Sequence, residues 1–237
     1  MNVVVLLAGG IGRRMKSTIP KQHLVMNEHQ IIEYTLHAFS RSEVVDYILI
    51  VSNKDYIETV ESMKSMYPKL KWVIKGGDTR IRSAYNAVCF LSSICKPADK
   101  IIVSDAARPC ITLREIKELF VSLERYKAVT TGLESYETLL NVDKETIKSV
   151  IPRDGIYRQT SPEGYRFGAL KEMYIDCPIS VVDNYRNIGI DNMVMRGEKI
   201  AVIKSNTFNF KITTKEDIYL FEYVLSKGFD AIIEMDK

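Results

Sequence analysis

The chain has 237 residues, with 33 Lys and Arg against 30 Asp and Glu, a formal net charge of +3, and 46% hydrophobic residues. That apolar fraction excludes a disordered chain, and so small a basic excess is no footprint for nucleic acid or a membrane surface. The length suits a single α/β domain over 1–237, able to bury a sizeable core without staples.

The elements read as follows from the N-terminus. Val3–Ala8 is a continuous apolar run, the pattern of a strand buried on both faces. Arg13 and Arg14 follow that run rather than precede it, the reverse of a secretory signal, and no apolar stretch nears the ~18 residues of a membrane span. The expected location is the cytoplasm. Ile31, Ile32, Thr35, Leu36 and Phe39 recur at helical spacing, and Tyr47–Ser52 reads as the next strand. A helix over Tyr56–Met66, a strand at Trp72–Ile74, a helix over Ile81–Ile94, a strand at Lys100–Ser104 and a helix over Leu113–Tyr126 follow. This alternation is that of a mainly parallel, doubly wound sheet flanked by helices.

After residue 127 the rhythm changes. Residues 128–140 and 146–151 are β-rich around the turn-prone Asn141-Val142-Asp143-Lys144, so 128–152 reads as an extended hairpin inserted into the domain. A helix is expected near Tyr165–Tyr174, a strand at Lys199–Ile203 and a last helix over Lys215–Ser226. Thr213 and Glu216 have capping-box spacing for that helix, and Gly228 sits where it should stop. Cys89, Cys95, Cys110 and Cys177 lack CxxC spacing and the three histidines fall in one early segment, which argues against zinc.

Three loops carry chemistry. Leu7-Ala8-Gly9-Gly10-Ile11-Gly12-Arg13-Arg14-Met15-Lys16 leaves the first strand. It is either a tight turn or a cradle whose backbone N–H groups close on phosphate oxygens. Met15 stands where both the dinucleotide fingerprint and the Walker pattern need glycine, and the loop carries Arg13, Arg14, Lys16 and Lys21 instead. Such cations suit a triphosphate and a developing phosphoryl centre. Gly76-Gly77-Asp78-Thr79-Arg80-Ile81-Arg82-Ser83 again joins a strand to a helix, and Ser104-Asp105-Ala106-Ala107-Arg108-Pro109 ends another strand. Asp105 there is either a Mg²⁺ ligand or a cap for the next helix.

AGGIGRRM with PKQHL, then GGDTRIRS, SDAARP, RDGIYRQTSPEGY and NFKITTKED occur in this order. The series resembles that of the 2-C-methyl-D-erythritol 4-phosphate cytidylyltransferases and the related ribitol-5-phosphate cytidylyltransferases, over roughly the whole chain. The resemblance implies a Rossmann-like nucleotidyltransferase fold, and a homodimer in which each subunit's β-arm, here about 128–152, embraces the other. It implies CTP and Mg²⁺, with a small polyol phosphate as acceptor, and no nucleic acid or membrane partner.

By the same resemblance, Ala8, Gly9, Gly10 and Gly12 line the CTP phosphates, with Leu7, Arg13 and Ala106 also on the nucleotide. Arg14 and Lys21 stabilise charge on the α-phosphate, and Lys211 approaches both acceptor phosphate and nucleotide. Gly77, Asp78 and Ser83 contact cytosine and ribose; Asp105 sits near Mg²⁺ and the acceptor, beside Arg108. Thr138, Arg153 and Ser161 match acceptor contacts, Arg153 reaching across the dimer.

The chain departs from the family pattern at His23 (usually aromatic), Ser104 (usually His), Ser161 (usually Thr) and Glu163 (usually Gln). Asp183 and Asp191 compete for a late acidic position. These changes cluster on the acceptor side and point to a shift among polyol-phosphate acceptors. Two rivals stay open. A nicotinamide-dependent oxidoreductase needs the complete GxGxxG that Met15 interrupts. A non-catalytic nucleotide sensor would not need the Arg14, Lys21 and Lys211 set.

Overall fold

The computed structural model describes residues 1–10, 15, 19–185 and 189–235. The first half alternates as the periodicity requires. Strand β1 (Asn2–Ala8) leads, by way of the two-residue strands β2 (Val25–Met26) and β3 (His29–Gln30), to helix α1 (Ile31–Arg41). Then come β4 (Tyr47–Ser52), α2 (Ile57–Ser62), β5 (Leu70–Lys75), α3 (Arg80–Leu91), β6 (Lys100–Asp105) and α4 (Leu113–Ser122). The second half holds β7 (Ala128–Glu134), β8 (Leu139–Asp143), β9 (Thr146–Ile151), β10 (Tyr157–Arg166) and α5 (Phe167–Tyr174). Short helices α6 (Ile179–Val182) and α7 (Ile190–Met195), β11 (Ile200–Lys204), α8 (Lys215–Ser226) and α9 (Phe229–Ile233) complete it.

Among the described residues the main sheet has seven strands in the order β11-β7-β10-β6-β1-β4-β5. β1 pairs in parallel with β4 and β6, β4 with β5, and β11 with β7, whereas β10 runs antiparallel between β6 and β7. The continuous apolar runs sort by alternation onto the two faces. Val4, Leu6, Ile48, Ile50 and Ile102 face one core with α1 and α4 residues such as Leu36, Phe39 and Leu119. Val3, Val5, Leu49, Val51, Ile101 and Val103 face the other, with Val88, Leu91, Phe167 and Leu170. Each such fully buried Ile or Leu stabilises by roughly 1.5–3 kcal/mol. Gly164 belongs to this packing: a Cβ there would stand 2.7 Å from both Ile102 Cδ1 and Val129 Cγ1. β10 can lie between its neighbours only with glycine at that point.

Three expectations shift. The inserted arm was expected to begin at 128, but residues 128–134 are β7, a strand of the main sheet; Ala128 and Val129 are fully buried between β10 and β11. The separate two-stranded hairpin is β8 with β9, exposed along its whole length. The helix expected from Tyr165 starts at Phe167, because Tyr165 still pairs in β10 opposite Ile101 and Ala128. The cap of α8 lies one residue later than its spacing suggests: Asp217 Oδ2, not Glu216, accepts from the Thr213 and Thr214 N–H groups, both at 2.8 Å. Gly228, with φ +88°, ends α8 as expected.

Candidate active site

The carboxyl ends of β1, β4, β5 and β6 border a cavity of about 810 Å³. It sits where the strand order reverses: the chain leaves β1 for β4 and β5 on one side and comes back to β6 on the other. Open α/β sheets bind ligands at this switch point, and the volume suits a small molecule.

From β1 come Leu7, Gly9 and Gly10. The Gln22 side-chain amide donates to Ala8 O at 2.6 Å and Gly10 O at 2.9 Å, which fixes the course of the turn. Lys21 beside it donates from Nζ to Ile212 O at 2.5 Å and lies 3.5 Å from Thr213 Oγ1. The expected phosphate contacts Gly12, Arg13 and Arg14 lie outside the described residues.

From β5 comes the second glycine loop. A Cβ on Gly77 would meet Arg82 Cβ at 2.5 Å, so the loop can close on the first turn of α3 only with glycine there. The Gly77 N–H donates to Ser83 Oγ at 3.1 Å, and that hydroxyl donates to Thr79 O at 2.9 Å. Thr79 Oγ1 accepts from the Arg82 N–H at 3.0 Å and caps α3. Thr79, Arg80 and Ser83 all line the cavity, so the amino end of this helix, with its partial positive charge, borders it.

β6 ends on Asp105, which is nearly buried at 8% exposure. Arg80 Nε donates to its Oδ1 at 3.1 Å, Lys211 Nζ to its Oδ2 at 2.8 Å, and Arg108 Nε stands 3.8 Å from Oδ2. Burial alone would raise the Asp105 pKa. The Arg80, Lys211 and Arg108 charges win and hold the carboxyl well below the usual carboxylate range. Arg80 shows the reciprocal effect: burial pulls its pKa down, and the Asp105 and Glu163 charges more than restore it. The capping alternative for Asp105 falls away, since α4 is capped by Thr112.

Among the described residues the cavity lining carries Lys21, Lys54, Lys75, Arg80 and Lys211 against two carboxylates, Asp78 and Asp105. It is therefore built for an anion of several charges. Among the described residues no three His, Cys, Asp or Glu side chains converge as an all-protein metal site. The donor set fits Mg²⁺ in its usual mode, in which one or two carboxylates hold an ion that phosphate oxygens otherwise surround.

The expected residues Leu7, Gly9, Gly10, Lys21, Gly77, Asp78, Ser83, Asp105 and Lys211 thus meet at one cavity. Ala8, Ala106, Arg108 and Ser161 do not line it. Ala8 and Ala106 are buried beside it, and Arg108 Nη1 donates to Asn209 O at 2.7 Å behind Asp105. Ser161 is buried, and its carbonyl accepts from Asn209 Nδ2 at 3.0 Å. Thr138 and Arg153 are exposed and flank the base of the hairpin, where Arg153 Nη1 donates to Tyr136 O at 2.9 Å. Asn53, Lys54, Lys75, Arg80 and Thr213 line the cavity without having been assigned a role from sequence. The first three directly end or follow β4 and β5, so the strand-end rule alone points to them.

The departures from the family pattern resolve unevenly. Glu163 does not face the cavity. It is buried in β10, accepts from Tyr165 Oη at 2.5 Å, and is pushed up to about 6, chiefly by burial. Alternation along β10 turns it into the core face that holds Tyr165, so its place among the acceptor-side departures is not matched by a position on the cavity wall. His23 is buried in a stack on Tyr56, ring centroids 4.0 Å apart, so it keeps the flat packing of an aromatic; burial lowers its pKa. Ser104 is fully buried within β6, and nothing in the structure explains its place there. Asp183 pairs with Arg82 at 2.5 Å, while Asp191 opens α7.

A mainly parallel sheet with a cation-lined cavity at its switch point defines a nucleotide-handling α/β enzyme. Residues 2–227 match the family model of IspD, 2-C-methyl-D-erythritol 4-phosphate cytidylyltransferase. The chain belongs to that family and is a cytidylyltransferase of the nucleotidyltransferase class. It is 34% identical over 232 residues to the 2-C-methyl-D-erythritol 4-phosphate cytidylyltransferase of Thermotoga neapolitana, covering 98% of this chain and 100% of that one. It is 32% identical over 232 residues to the ribitol-5-phosphate cytidylyltransferase of Lacticaseibacillus paracasei, at 95% and 98% coverage. Among solved structures, the Francisella tularensis 2-C-methyl-D-erythritol 4-phosphate cytidylyltransferase superposes with TM-score 0.76 at 27% identity, covering 94% of this chain and 98% of that one. The Anaerococcus prevotii 4-diphosphocytidyl-2C-methyl-D-erythritol synthase reaches TM-score 0.78 at 22% identity, with 95% and 96% coverage, and bears on the fold alone.

Proposed function

We propose that this enzyme transfers the cytidylyl group of CTP to the phosphate of a small alditol phosphate, ribitol 5-phosphate or 2-C-methyl-D-erythritol 4-phosphate, releasing pyrophosphate. The observation that carries the reading is Asp105, kept ionised at the end of β6 by Arg80, Lys211 and Arg108, on the wall of a cavity with five cations. An acceptor phosphate is already an anion, so no side chain has to generate a nucleophile. One of its oxygens attacks the α-phosphorus in line as the bond to the pyrophosphate leaving group breaks. The chain supplies position and charge.

The glycine turn after β1 holds the triphosphate through backbone N–H groups, with Lys21 and Arg14 on the α-phosphate. The loop Gly77-Asp78 and Ser83 receive cytosine and ribose. Lys211 bridges acceptor and nucleotide. Mg²⁺, entering with the nucleotide, would be held by Asp105 and would supply further neutralisation of the phosphate charge. Thr138 and Arg153 contribute from the other subunit of a homodimer, a role supported by their position outside their own chain's cavity at the base of an exposed apolar hairpin. The setting is a cytoplasmic pathway that consumes a CDP-alditol.

The test is mass-spectrometric detection of product from CTP, Mg²⁺ and a panel of phosphorylated polyols. A CDP-alditol formed from one of the two named acceptors is expected. No product from any acceptor, with the protein folded and CTP bound, would leave a nucleotide sensor as the better reading.

A further inference from the structure

Lys211 reaches the cavity on residues 205–213, a segment without helix or strand between β11 and the cap of α8. Such a segment has no ladder of its own to fix a side chain to within a fraction of an ångström. Its fixation comes from elsewhere. Glu115, the third residue of α4, is fully buried, with 0% exposure. Its Oε2 accepts from the Thr112 N–H at 2.9 Å and from Thr112 Oγ1 at 3.0 Å, the reciprocal half of the α4 capping box. Its Oε1 turns to the far segment, accepting from Ser205 Oγ at 2.6 Å and the Asn206 N–H at 3.2 Å. Asn206 Nδ2 also donates to Oε2, at 2.6 Å.

A capping carboxylate does its work at the surface. Taking one wholly out of water costs more than a cap returns unless every lone pair is used, as it is here. The bonds then run on toward the cavity. Asn206 Oδ1 accepts from the Asn209 N–H at 3.0 Å, and Asn209 Nδ2 donates to Ser161 O at 3.0 Å and Ser205 Oγ at 3.2 Å. Two residues later Lys211 Nζ meets Asp105 at 2.8 Å, and the Ile212 N–H donates to Ala107 O at 2.9 Å.

We infer that Glu115 is a positioning residue for the transfer reaction: through Asn206 and Asn209 it sets the segment that presents Lys211 to the cavity. The inference rests on the reading of Lys211 as a cation of the transfer step; the anchoring of the segment does not. Oε1 bonds only the loop, while Oε2 is shared between the helix cap and the Asn206 side chain. That division can be tested.

Asn206→Ala and Glu115→Gln are compared with Thr112→Val, which weakens the cap and leaves the loop bonds. Expected for Asn206→Ala and Glu115→Gln is a fall in kcat on the order of 10- to 100-fold with the KM for CTP nearly unchanged. Thr112→Val is expected to lower Tm while kcat stays within about two-fold. In a Lys211→Ala background, Asn206→Ala should add no further loss, since both act through one side chain. Hydrogen exchange over residues 205–213 should accelerate in Asn206→Ala and not in Thr112→Val. Should Glu115→Gln fail to fold, Asn206→Ala carries the comparison alone. Unchanged kcat in Asn206→Ala, or losses that multiply with that of Lys211→Ala, overturns the inference. If the wild type transfers nothing, or Lys211→Ala keeps full turnover, the reading of the site fails instead. Exchange then decides the anchoring, and an unchanged rate over 205–213 overturns it.

Discussion

Asp105 and Glu163 show how two acidic residues on neighbouring strands acquire opposite characters. Both lie close to Arg80, and both feel it as an attraction that favours ionisation. Asp105 also receives Lys211 and Arg108 and stays a carboxylate. Among the described residues Glu163 has Tyr165 as its side-chain donor, lies near the negative charges of Asp105 and Asp191, and is moved chiefly by burial from 4.5 to about 6. A proton therefore binds Glu163 more tightly in the folded chain than in the unfolded one. Stability attributable to it is greatest below about pH 4.5 and is lost as pH rises through about 6. Glu163→Gln, which keeps an acceptor for Tyr165, should gain stability over the wild type as pH rises from 4.5 to 7, by roughly 2 kcal/mol. Denaturant titrations across that range measure it, and a gap that stays constant with pH would contradict the assignment. Of the site's residues, those in glycine- and arginine-rich motifs were legible in the sequence. Asn53, Lys54 and Lys75 were not assigned: the strand-end rule names every strand terminus, and only the side-by-side order of the strands shows which of them meet at one cavity.

At the scale of elements, the strands of the first half were readable because burial on both faces demands unbroken apolar runs, which chance seldom supplies. The second half was harder. β7 and β10 belong to the same sheet, yet β10 is polar and carries Glu163 and Gly164, so its place between β6 and β7 has no periodic signal. The excursion read at 128–152 was visible only as β-rich sequence, and the division between sheet strand and hairpin depended on long-range pairing. That hairpin makes its own prediction. Val142 pairs with Ile147 and Leu140 with Val150, and each of the four is about half exposed or more. An isolated two-stranded ribbon is marginal in water, and an exposed apolar one needs a cover. With the homodimer proposed above, Val142→Lys combined with Ile147→Lys should convert a dimer to a monomer in analytical ultracentrifugation, with the monomer still folded. A wild type that sediments as a monomer, or a double variant that remains dimeric, would contradict that use of the hairpin.

For the molecule as a whole, the small excess of +3 says little until it is located. Among the described residues five cations and two carboxylates line the cavity at the switch point, a balance suited to a multiply charged anion. CTP with Mg²⁺ at 100 times its Kd should raise Tm by roughly 5–10 °C, and NAD should not. A thermal shift with NAD alone would favour the oxidoreductase reading. Among the described residues no helix is long and apolar enough to cross a membrane. In the proposed reaction this charged cavity moves the cytidylyl group directly to an acceptor phosphate. Steady-state pyrophosphate release from CTP, measured side by side for the wild type and Lys21→Ala with and without an alditol phosphate, tests it most directly. Expected is release that requires the acceptor and falls at least ~100-fold in the folded variant, as loss of an electrostatic contact of ~3 kcal/mol demands. Release without acceptor, or full turnover in Lys21→Ala, would contradict it.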